Sequence, residues 1–436
     1  MGENLVRNIV SRNESIVVWN RTIEKVDELQ TELGDAVEKA TSIAELVSRV
    51  ETPRNIILLV PAGKVTDEVA HELFSLLTPE DAIWDFGNAH WDTTIAHQTE
   101  ALKHGIHWVG CGISGGSEGA RLGPSLMPGG EETSVTRMLP LLEKIAAKDF
   151  SGNPCVTYVG KAAAGNFVKM VHNGIEYALM QGIAEVYDML RSSDMPQSEI
   201  QKTFQELNTG LLKSFLLDIT VDILGTKDTD GADLLAKISD IAGSKWTGGW
   251  TVEAALKLGV SIPSIAESLF ARWLSGRQEQ ANLPTKTPIV WKPQNTILLK
   301  QALKTTYLAS YLQWIELILV AETEWNWGID IQEVLRIWQW WCIIRSEMLR
   351  ALPEFYRAGK VSDTESTDIE ALLSEAKEVL NNSNTPTPVL SSSYHYMMTR
   401  TSDKLPTNLI QAMRDSFWAH GVKRIGSDVS ENFQWK

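Results

Sequence analysis

Gly165-Asn166-Phe167-Val168-Lys169-Met170-Val171-His172-Asn173-Gly174-Ile175-Glu176-Tyr177 opens a helical run that continues to about Arg191. Lys169, His172, Asn173, Glu176 and Tyr177 fall at i, i+3, i+4, i+7 and i+8, which is one face of a helix. In an ordinary amphipathic helix such a stripe is apolar and faces the core. Here it carries an amine, an imidazole, an amide, a carboxylate and a phenol. Val168, Val171, Ile175 and Leu179 supply a separate packing face. A polar stripe flanked by apolar packing is expected to line a wet cleft. The alternative is a solvated surface helix, but His, Asn and Tyr are unusual choices for such a face. The stripe holds a candidate base, Lys169, and a candidate acid, Glu176, about 10 Å apart along the axis at about 1.5 Å per residue.

Upstream of this helix, short apolar runs alternate with helical patterns. Ser15–Trp19, Asn55–Val60, Ala82–Asp85 and His107–Gly110 read as buried strands. Thr22–Leu33, Thr41–Val50, Val65–Leu77 and Thr93–His104 read as the helices between them. That alternation predicts a parallel α/β sheet of Rossmann-like type over residues 1–163. Residues 164–402 read as a large all-α domain, with proline-rich breaks at 284–293 and 385–388. Residues 403–436 read as a helix, Leu405–Trp418, followed by a polar tail. Trp338, Trp340 and Trp341 are expected in one helical run that packs against other helices.

In an open parallel sheet, ligands bind at the carboxyl ends of the strands. Asn20-Arg21-Thr22, Gly87-Asn88 and Ser114-Gly115-Gly116 follow three of the expected strands. An arginine after the second strand of a dinucleotide-binding fold suits the 2′-phosphate of NADP. Glycines permit close backbone approach, and their amides can hold an anion. Each segment is weak taken singly, and a Gly-Gly after a strand is more often a plain turn.

Composition narrows the partners. The net charge of −15 argues against nucleic acid. An anionic substrate would need its own local cluster of Lys and Arg. The three cysteines show no metal spacing and cannot all pair, so no metal is expected and a reducing, cytoplasmic setting is. No leader is evident in Met1-Gly2-Glu3-Asn4, and no apolar run of about 18 residues reads as a membrane span.

The run Gly112-Ile113-Ser114-Gly115-Gly116-Ser117-Glu118-Gly119-Ala120-Arg121-Leu122-Gly123-Pro124-Ser125, with Met127-Pro128-Gly129-Gly130, resembles the substrate loop of 6-phosphogluconate dehydrogenases. The run from Phe167 to Tyr177 resembles their catalytic helix almost letter for letter. Similarity continues through Cys342-Ile343-Ile344-Arg345-Ser346 to Arg414, Asp415 and His420. The resemblance implies oxidative decarboxylation of 6-phosphogluconate to ribulose 5-phosphate and CO2, with NADP reduced to NADPH. It implies that Lys169 acts as base and Glu176 as acid, and that His172 and Asn173 complete the catalytic set. Asn88, Ser114, Gly115 and Gly116 match positions that hold the substrate's hydroxyls and carboxylate. Tyr177, Lys245, Thr247 and Arg272 match its phosphate ligands from one subunit. Arg414 and His420 match two that reach in from a partner, which implies a homodimer. Gly2, Asn20, Arg21, Thr22, Val60 and Asn88 match cofactor positions.

The family opens on a strand and a Gly-x-Gly-x-x-Gly turn, and Met1-Gly2 align with the last two residues of that turn. The first strand and two of the three glycines are therefore absent. The strand is central in the family's sheet, so its loss is expected to expose the edges of its neighbours. A start recorded too late is one expectation, and poor NADP binding is the other. Phe86, Pro61, Trp246 and Gly249 also depart from the family pattern. A catalytically silent sugar-phosphate binder and a dehydrogenase acting on another hydroxy acid stand as alternatives. Intact Lys169, Asn173 and Glu176 speak against the first, and the phosphate set speaks against the second.

Overall fold

The computed structural model describes residues 1–244, 246–277, 296–357, 363–383 and 385–435. Strands and helices alternate up to residue 145. The order is α1 (Gly2–Ser11), β1 (Ile16–Val18), α2 (Glu24–Leu33), β2 (Val37–Lys39), α3 (Ile43–Arg49) and β3 (Asn55–Leu58). There follow α4 (Lys64–Leu76), β4 (Ala82–Asp85), α5 (Trp91–Lys103), β5 (His107–Ser114), α6 (Gly116–Leu122), β6 (Ser125–Gly129) and α7 (Glu132–Ile145). All four expected strands form. β2 and β6 are additional. β2 reads Val37-Glu38-Lys39, with charged side chains at two of its three positions, and β6 contains Pro128.

The sheet is not wholly parallel, which corrects the sequence-based expectation. β3, β4 and β5 pair in parallel, with Ile57 opposite Trp84 and Trp84 opposite Val109. β6 joins β5 antiparallel, with Met127 opposite Gly112. An edge position tolerates a proline that cannot donate to a ladder. β1 and β2 form a separate parallel pair, with Ile16 opposite Val37. Among the described residues this pair is not hydrogen-bonded to the four-stranded sheet.

Beyond residue 163 the chain is helical. α8 (Ala164–Arg191) is followed by α9 (Gln197–Leu207), α10 (Phe215–Gly225), α11 (Thr247–Leu258), α12 (Pro263–Ser275) and α13 (Thr296–Trp325). Then come α14 (Ile331–Ile337), α15 (Glu347–Arg357), α16 (Asp363–Asn382), α17 (Pro388–Arg400) and α18 (Thr407–Trp418). A two-residue hairpin, β7 (Val422–Lys423) with β8 (Ser430–Glu431), closes the tail. The expected break at 385–388 is the approach to α17. The break expected at 284–293 lies outside the described residues.

α8 is the axis of this half. It rests on β5 and β6 at its start and on α11, α12, α13 and α17 along its length. Val168, Val171, Ile175 and Leu179 are fully buried, as the packing face predicts. Each such side chain contributes roughly 1.5–3 kcal/mol by leaving water. Part of the tryptophan abundance is spent here. Trp325 and Trp327 pack with their rings tilted and 4.5 Å apart, and Phe167 of α8 sits edge-on to both, at 5.1 and 5.7 Å. Trp338, Trp340 and Trp341 do not share a helix. α14 ends at Ile337, and Trp341 takes a positive φ of 46°. Ser125 Oγ donates to the Ile337 carbonyl at 2.7 Å, and Trp338 packs on Trp314 at 4.6 Å. Those two anchors draw the chain out of the helix and carry Cys342 back towards α8.

The seat of α8 on the sheet needs glycine. A Cβ on Gly165 would overlap the carbonyl oxygens of Gly110 and Met127, and crowd the Gly129 amide. All three obstacles are backbone of β5 and β6, so none can swing away. Gly165→Ala is expected to destabilise the fold by about 3 kcal/mol or more through overpacking and backbone shift. Denaturant unfolding of the variant against the parent measures it; a change within about 0.5 kcal/mol would show that the seat can slide.

Candidate active site

β5 and α8 meet at Gly112, where a Cβ would overlap the side chain of Lys169. The absence of that atom lets the lysine lie flat against the strand. Its residual exposure is 7%. Nζ donates to Asn173 Oδ1 at 2.8 Å and lies 3.4 Å from His172 Nδ1. The i+4 amide therefore holds the amine as helix spacing predicts. Burial lowers the Lys169 pKa, and the Glu176 charge opposes that shift. Burial raises the Glu176 pKa, opposed by Lys169 and Arg272. One helix thus carries an amine moved towards neutrality and a carboxyl moved towards its acid form.

His172 is fully buried between three elements. Ser114 Oγ, at the end of β5, lies 3.0 Å from Nε2. Cys342 Sγ lies 2.7 Å from the same nitrogen. Nδ1 lies 3.2 Å from Asn173 Oδ1. Burial and the neighbouring Lys169 hold the imidazole well below its ordinary pKa, so it is neutral. Burial pushes the Cys342 thiol up to about 12, so it keeps its proton. With a hydroxyl and a thiol both facing Nε2, that nitrogen is assigned as acceptor and the ring proton goes to Nδ1. Nδ1–H then donates to Asn173. The Trp338 ring closes the pocket edge-on at 5.3 Å.

One turn further along α8, the Arg272 guanidinium from α12 lies 3.5 Å over the Tyr177 ring. Gly248 at the start of α11 leaves the space that ring needs. Thr251 Oγ1 donates to the carbonyls of Met170 and Thr247, both at 3.0 Å, which locks α11 onto α8. Thr247 is buried beside this contact. Lys245 lies outside the described residues. Gly115 and Gly116, with φ of +120° and +65°, turn the chain from β5 into α6. Asn88 is exposed in the turn after β4.

Arg414 and His420 stand apart from this cluster. Both are exposed, Arg414 bonded to Gln411 at 3.1 Å and His420 5.9 Å from the Trp418 ring. α18 also exposes Leu409, Ile410, Met413, Phe417 and Trp418. The side chain it does bury is Asp415, which accepts from the amides of Gly421 and Phe433 and from Trp435 Nε1. That carboxylate folds the tail back on the helix into a compact arm.

Of the six expected cofactor positions, five converge. Gly2, Asn20, Arg21, Thr22 and Val60 line one cavity of about 590 Å³. Asn20 Oδ1 accepts from the Thr22 amide at 2.8 Å, fixing the turn that presents Arg21 to solvent. α1 starts at this cavity without a side-chain cap, leaving its first amides free for an anion. An exposed guanidinium, a hydroxyl and uncapped amides around one opening fit a phosphorylated dinucleotide. Asn88 is not among the residues lining this cavity. Among the described residues, no group of three His, Cys, Asp or Glu could hold a metal ion.

Reading the sequence missed Cys342 as part of this pocket, because it lies 170 positions from His172 and no local pattern links them. It also missed Asp85 and Asn166. Asp85 is buried at the end of β4, accepts from the Gly87 amide at 2.8 Å, and is pushed up to about 6 by burial. Asn166 bridges Thr94 Oγ1 at 3.0 Å and the Gly87 carbonyl at 3.4 Å, tying the β4 turn to the first turn of α8. Phe86, the departure beside them, points into the core against Trp84.

Residues 1–160 match the family model described as the NAD binding domain of 6-phosphogluconate dehydrogenase, and residues 165–435 match the model of its C-terminal domain. The chain is 37% identical over 457 residues to a decarboxylating 6-phosphogluconate dehydrogenase of Escherichia coli, covering all of this chain and 97% of the relative. It is 38% identical over 455 residues to the NADP(+)-dependent decarboxylating enzyme of Bacillus subtilis, with the same coverage. A solved 6-phosphogluconate dehydrogenase of Plasmodium falciparum, described as apo and in complex with NADP+ and with 6-phosphogluconate, superposes with a TM-score of 0.93 at 32% identity. That superposition covers 100% of this chain and 98% of the solved one. Both halves fit one family's two models, and the full length follows one of its solved structures, so the chain belongs to the 6-phosphogluconate dehydrogenase family.

Proposed function

We infer that this chain catalyses the oxidative decarboxylation of 6-phosphogluconate to ribulose 5-phosphate and CO2, with NADP as hydride acceptor. The observation that carries this is the pairing on α8: burial moves Lys169 and Glu176 in opposite directions on one rigid element. A reaction that first removes and later delivers a proton needs such a pair. NADP, held at Gly2, Asn20, Arg21, Thr22 and Val60, supplies the site that accepts hydride from C3 of the sugar acid.

Lys169 in its neutral form takes the proton from the C3 hydroxyl. The product of that step is a 3-keto acid, and the protonated Lys169 then donates to its carbonyl oxygen. The ketone accepts the electron pair released as the C1–C2 bond breaks and CO2 departs. Glu176 in its acid form protonates the enediol carbon that was C2 of the sugar acid and becomes C1 of ribulose 5-phosphate. Asn173 keeps Nζ of Lys169 in place, and His172, held neutral between Ser114 and Cys342, offers Nδ1–H to the same amide. Asn88, Ser114, Gly115 and Gly116 face the substrate's hydroxyls and carboxylate. Burial at Lys169 excludes water that would otherwise level both pKa shifts.

Tyr177, Lys245, Thr247 and Arg272 bind the phosphate from one subunit. Arg414 and His420 of the partner subunit complete the set, in a homodimer. The apolar face of α18 supports this reading, since five large apolar side chains on one exposed arm call for a covering surface. Charge-assisted bonds to phosphate contribute roughly 1.5–3 kcal/mol each. Among the described residues no helix is long and apolar enough to cross a membrane. The buried, unpaired Cys111, Cys155 and Cys342 accord with a reducing, cytoplasmic setting.

Lys169→Met is expected to lower NADPH formation from 6-phosphogluconate by about 10³-fold or more, with circular dichroism unchanged. Turnover near the parental rate would remove the base assignment. The Glu176 carboxylate raises the Lys169 pKa, so Glu176→Gln lowers it further. The limb of the pH profile of kcat/KM that reports loss of the Lys169 proton should then move to lower pH; a limb that stays put would show that the two groups do not sense each other. A third measurement addresses the shared site. Lys169→Met and Arg414→Ala proteins, each crippled alone, are mixed and allowed to exchange subunits. Half the dimers are then hybrids with one intact site, which restores about a quarter of parental activity. No recovery in mixtures shown by sedimentation to contain hybrids would place Arg414 in its own subunit's site.

A further inference from the structure

The turn that carries Asn88 is tied at both ends. Upstream, Asp85 and Asn166 hold the two backbone groups of Gly87. Downstream, the chain passes into His90 and Trp91, where α5 begins. Trp91 is fully buried and stands edge-on to Phe167 of α8 at 5.9 Å. His90 stacks on Trp91 at 3.8 Å, and Trp250 of α11 stands edge-on to the same imidazole at 5.3 Å. Nδ1 of His90 accepts from the Asp92 amide at 3.1 Å, which leaves the ring proton on Nε2, 3.6 Å from Glu253 Oε2. Lys257 reaches the same turn of α5, 3.6 Å from Asp92 and 5.7 Å over the Trp91 ring. Trp250, Glu253 and Lys257 fall at i, i+3 and i+7, so one face of α11 lies on the first turn of α5. Glu253 and Lys257 are exposed, so their charges contribute little. The aromatic contact between Trp250, His90 and the buried Trp91 is the firm part of this seam.

Trp250 belongs to the first turn of α11, which also serves the other end of the substrate. That turn opens on Thr247, and Gly248 leaves room there for the Tyr177 ring under Arg272. One helical turn therefore touches both the pocket proposed for phosphate and the residue that follows Asn88 by two positions. We propose that His90 is a positioning residue, and that through Trp250 and His90 the start of α11 couples phosphate binding to the ordering of Asn88. Thr251 fixes where α11 sits on α8, so a ligand at its start changes the order of the first turn and not its place. A bound phosphate quiets that turn, and Trp250 passes the restraint to His90. The cost of ordering Asn88 has then been met before the sugar's hydroxyls engage it. An unphosphorylated sugar acid must order Asn88 by itself, so the phosphate speeds turnover as well as strengthening binding. The coupling rests on the phosphate placement proposed above.

The test uses the full chain, with inorganic phosphate as the probe and no sugar or cofactor present. Hydrogen–deuterium exchange follows residues 86–92 and 247–254, each protein being compared with itself without phosphate. In the parent, phosphate is expected to slow exchange in both segments. His90→Ala is expected to keep the protection at 247–254 and lose it at 86–92. His90→Phe, which retains the ring stack, is expected to keep both, and so is Glu253→Gln, which removes only an exposed charge. A second readout is the oxidation of gluconate with phosphite added in trans. Phosphite is expected to raise kcat/KM for gluconate by roughly tenfold in the parent and in His90→Phe, and to leave it nearly unmoved in His90→Ala. Protection confined to 247–254 in the parent overturns the coupling and leaves the phosphate pocket standing. Phosphate-dependent protection of 86–92 that survives in His90→Ala overturns the role of His90. Its loss in His90→Phe as well overturns the stack, because that variant lacks only the ring nitrogens. If phosphate protects neither segment and 6-phosphogluconate is oxidised, the coupling fails and the proposed function stands. If 6-phosphogluconate is not oxidised either, both fail.

Discussion

The close approach of α8 to β5 and β6, where Gly110 pairs with Gly129, is the constraint on which the rest depends. Gly165 meets Gly110 and Gly129 there with no side chain between. Because the helix starts on the sheet itself, its second turn passes Gly112, and Lys169 is pressed against β5. A larger residue at any of these points would lift the helix by the width of a methyl group. Lys169 would then reach water, and the desolvation that lowers its pKa would go. The glycine contacts and the amine's chemistry are thus one feature seen at two levels.

Burial does the electrical tuning on α8, and the pair limits its own tuning. Desolvation disfavours the charged form of Lys169 and of Glu176, which moves their pKa values towards each other. Each charge, where present, stabilises the other and pulls back against that movement. Protons lost by such a pair belong to both members. His172 takes no part in this exchange. Burial and the neighbouring Lys169 hold it neutral and three partners fix its ring, which suits a positioning role better than proton transfer. The same dryness keeps Cys342 as a thiol.

The amino-terminal half carries the opposite kind of feature. Where α8 is over-determined by packing, β1 and β2 pair with each other and, among the described residues, not with the four-stranded sheet. The cofactor residues proposed above, Asn88 excepted, line the cavity beside that pair. The two halves meet through Asn166, which bonds the β4 turn and begins α8.

Local pattern determined a good deal. The 3.6-residue spacing put Lys169, His172, Asn173, Glu176 and Tyr177 on one face, and the α8 limits follow it closely. Alternation of apolar runs was enough for β1, β3, β4 and β5, since buried strands must be apolar on both faces. It was not enough for β2, where Glu38 and Lys39 break the apolar run, or for β6, whose Pro128 speaks against a strand unless the edge position is known. Nor could it show that Trp338, Trp340 and Trp341 leave the helix, because the pull on them comes from Ser125 and Trp314. Cys342, Asn166 and Asp85 entered the site only in three dimensions. Periodicity reports the side of an element a residue lies on, whereas pocket membership depends on which distant elements close over that side. The sequence alone therefore determined which groups share the helix face of Lys169. Tertiary structure decided that this face is dry, because desolvation depends on atoms brought from β5, α12 and residues 338–342, none of them near in the chain.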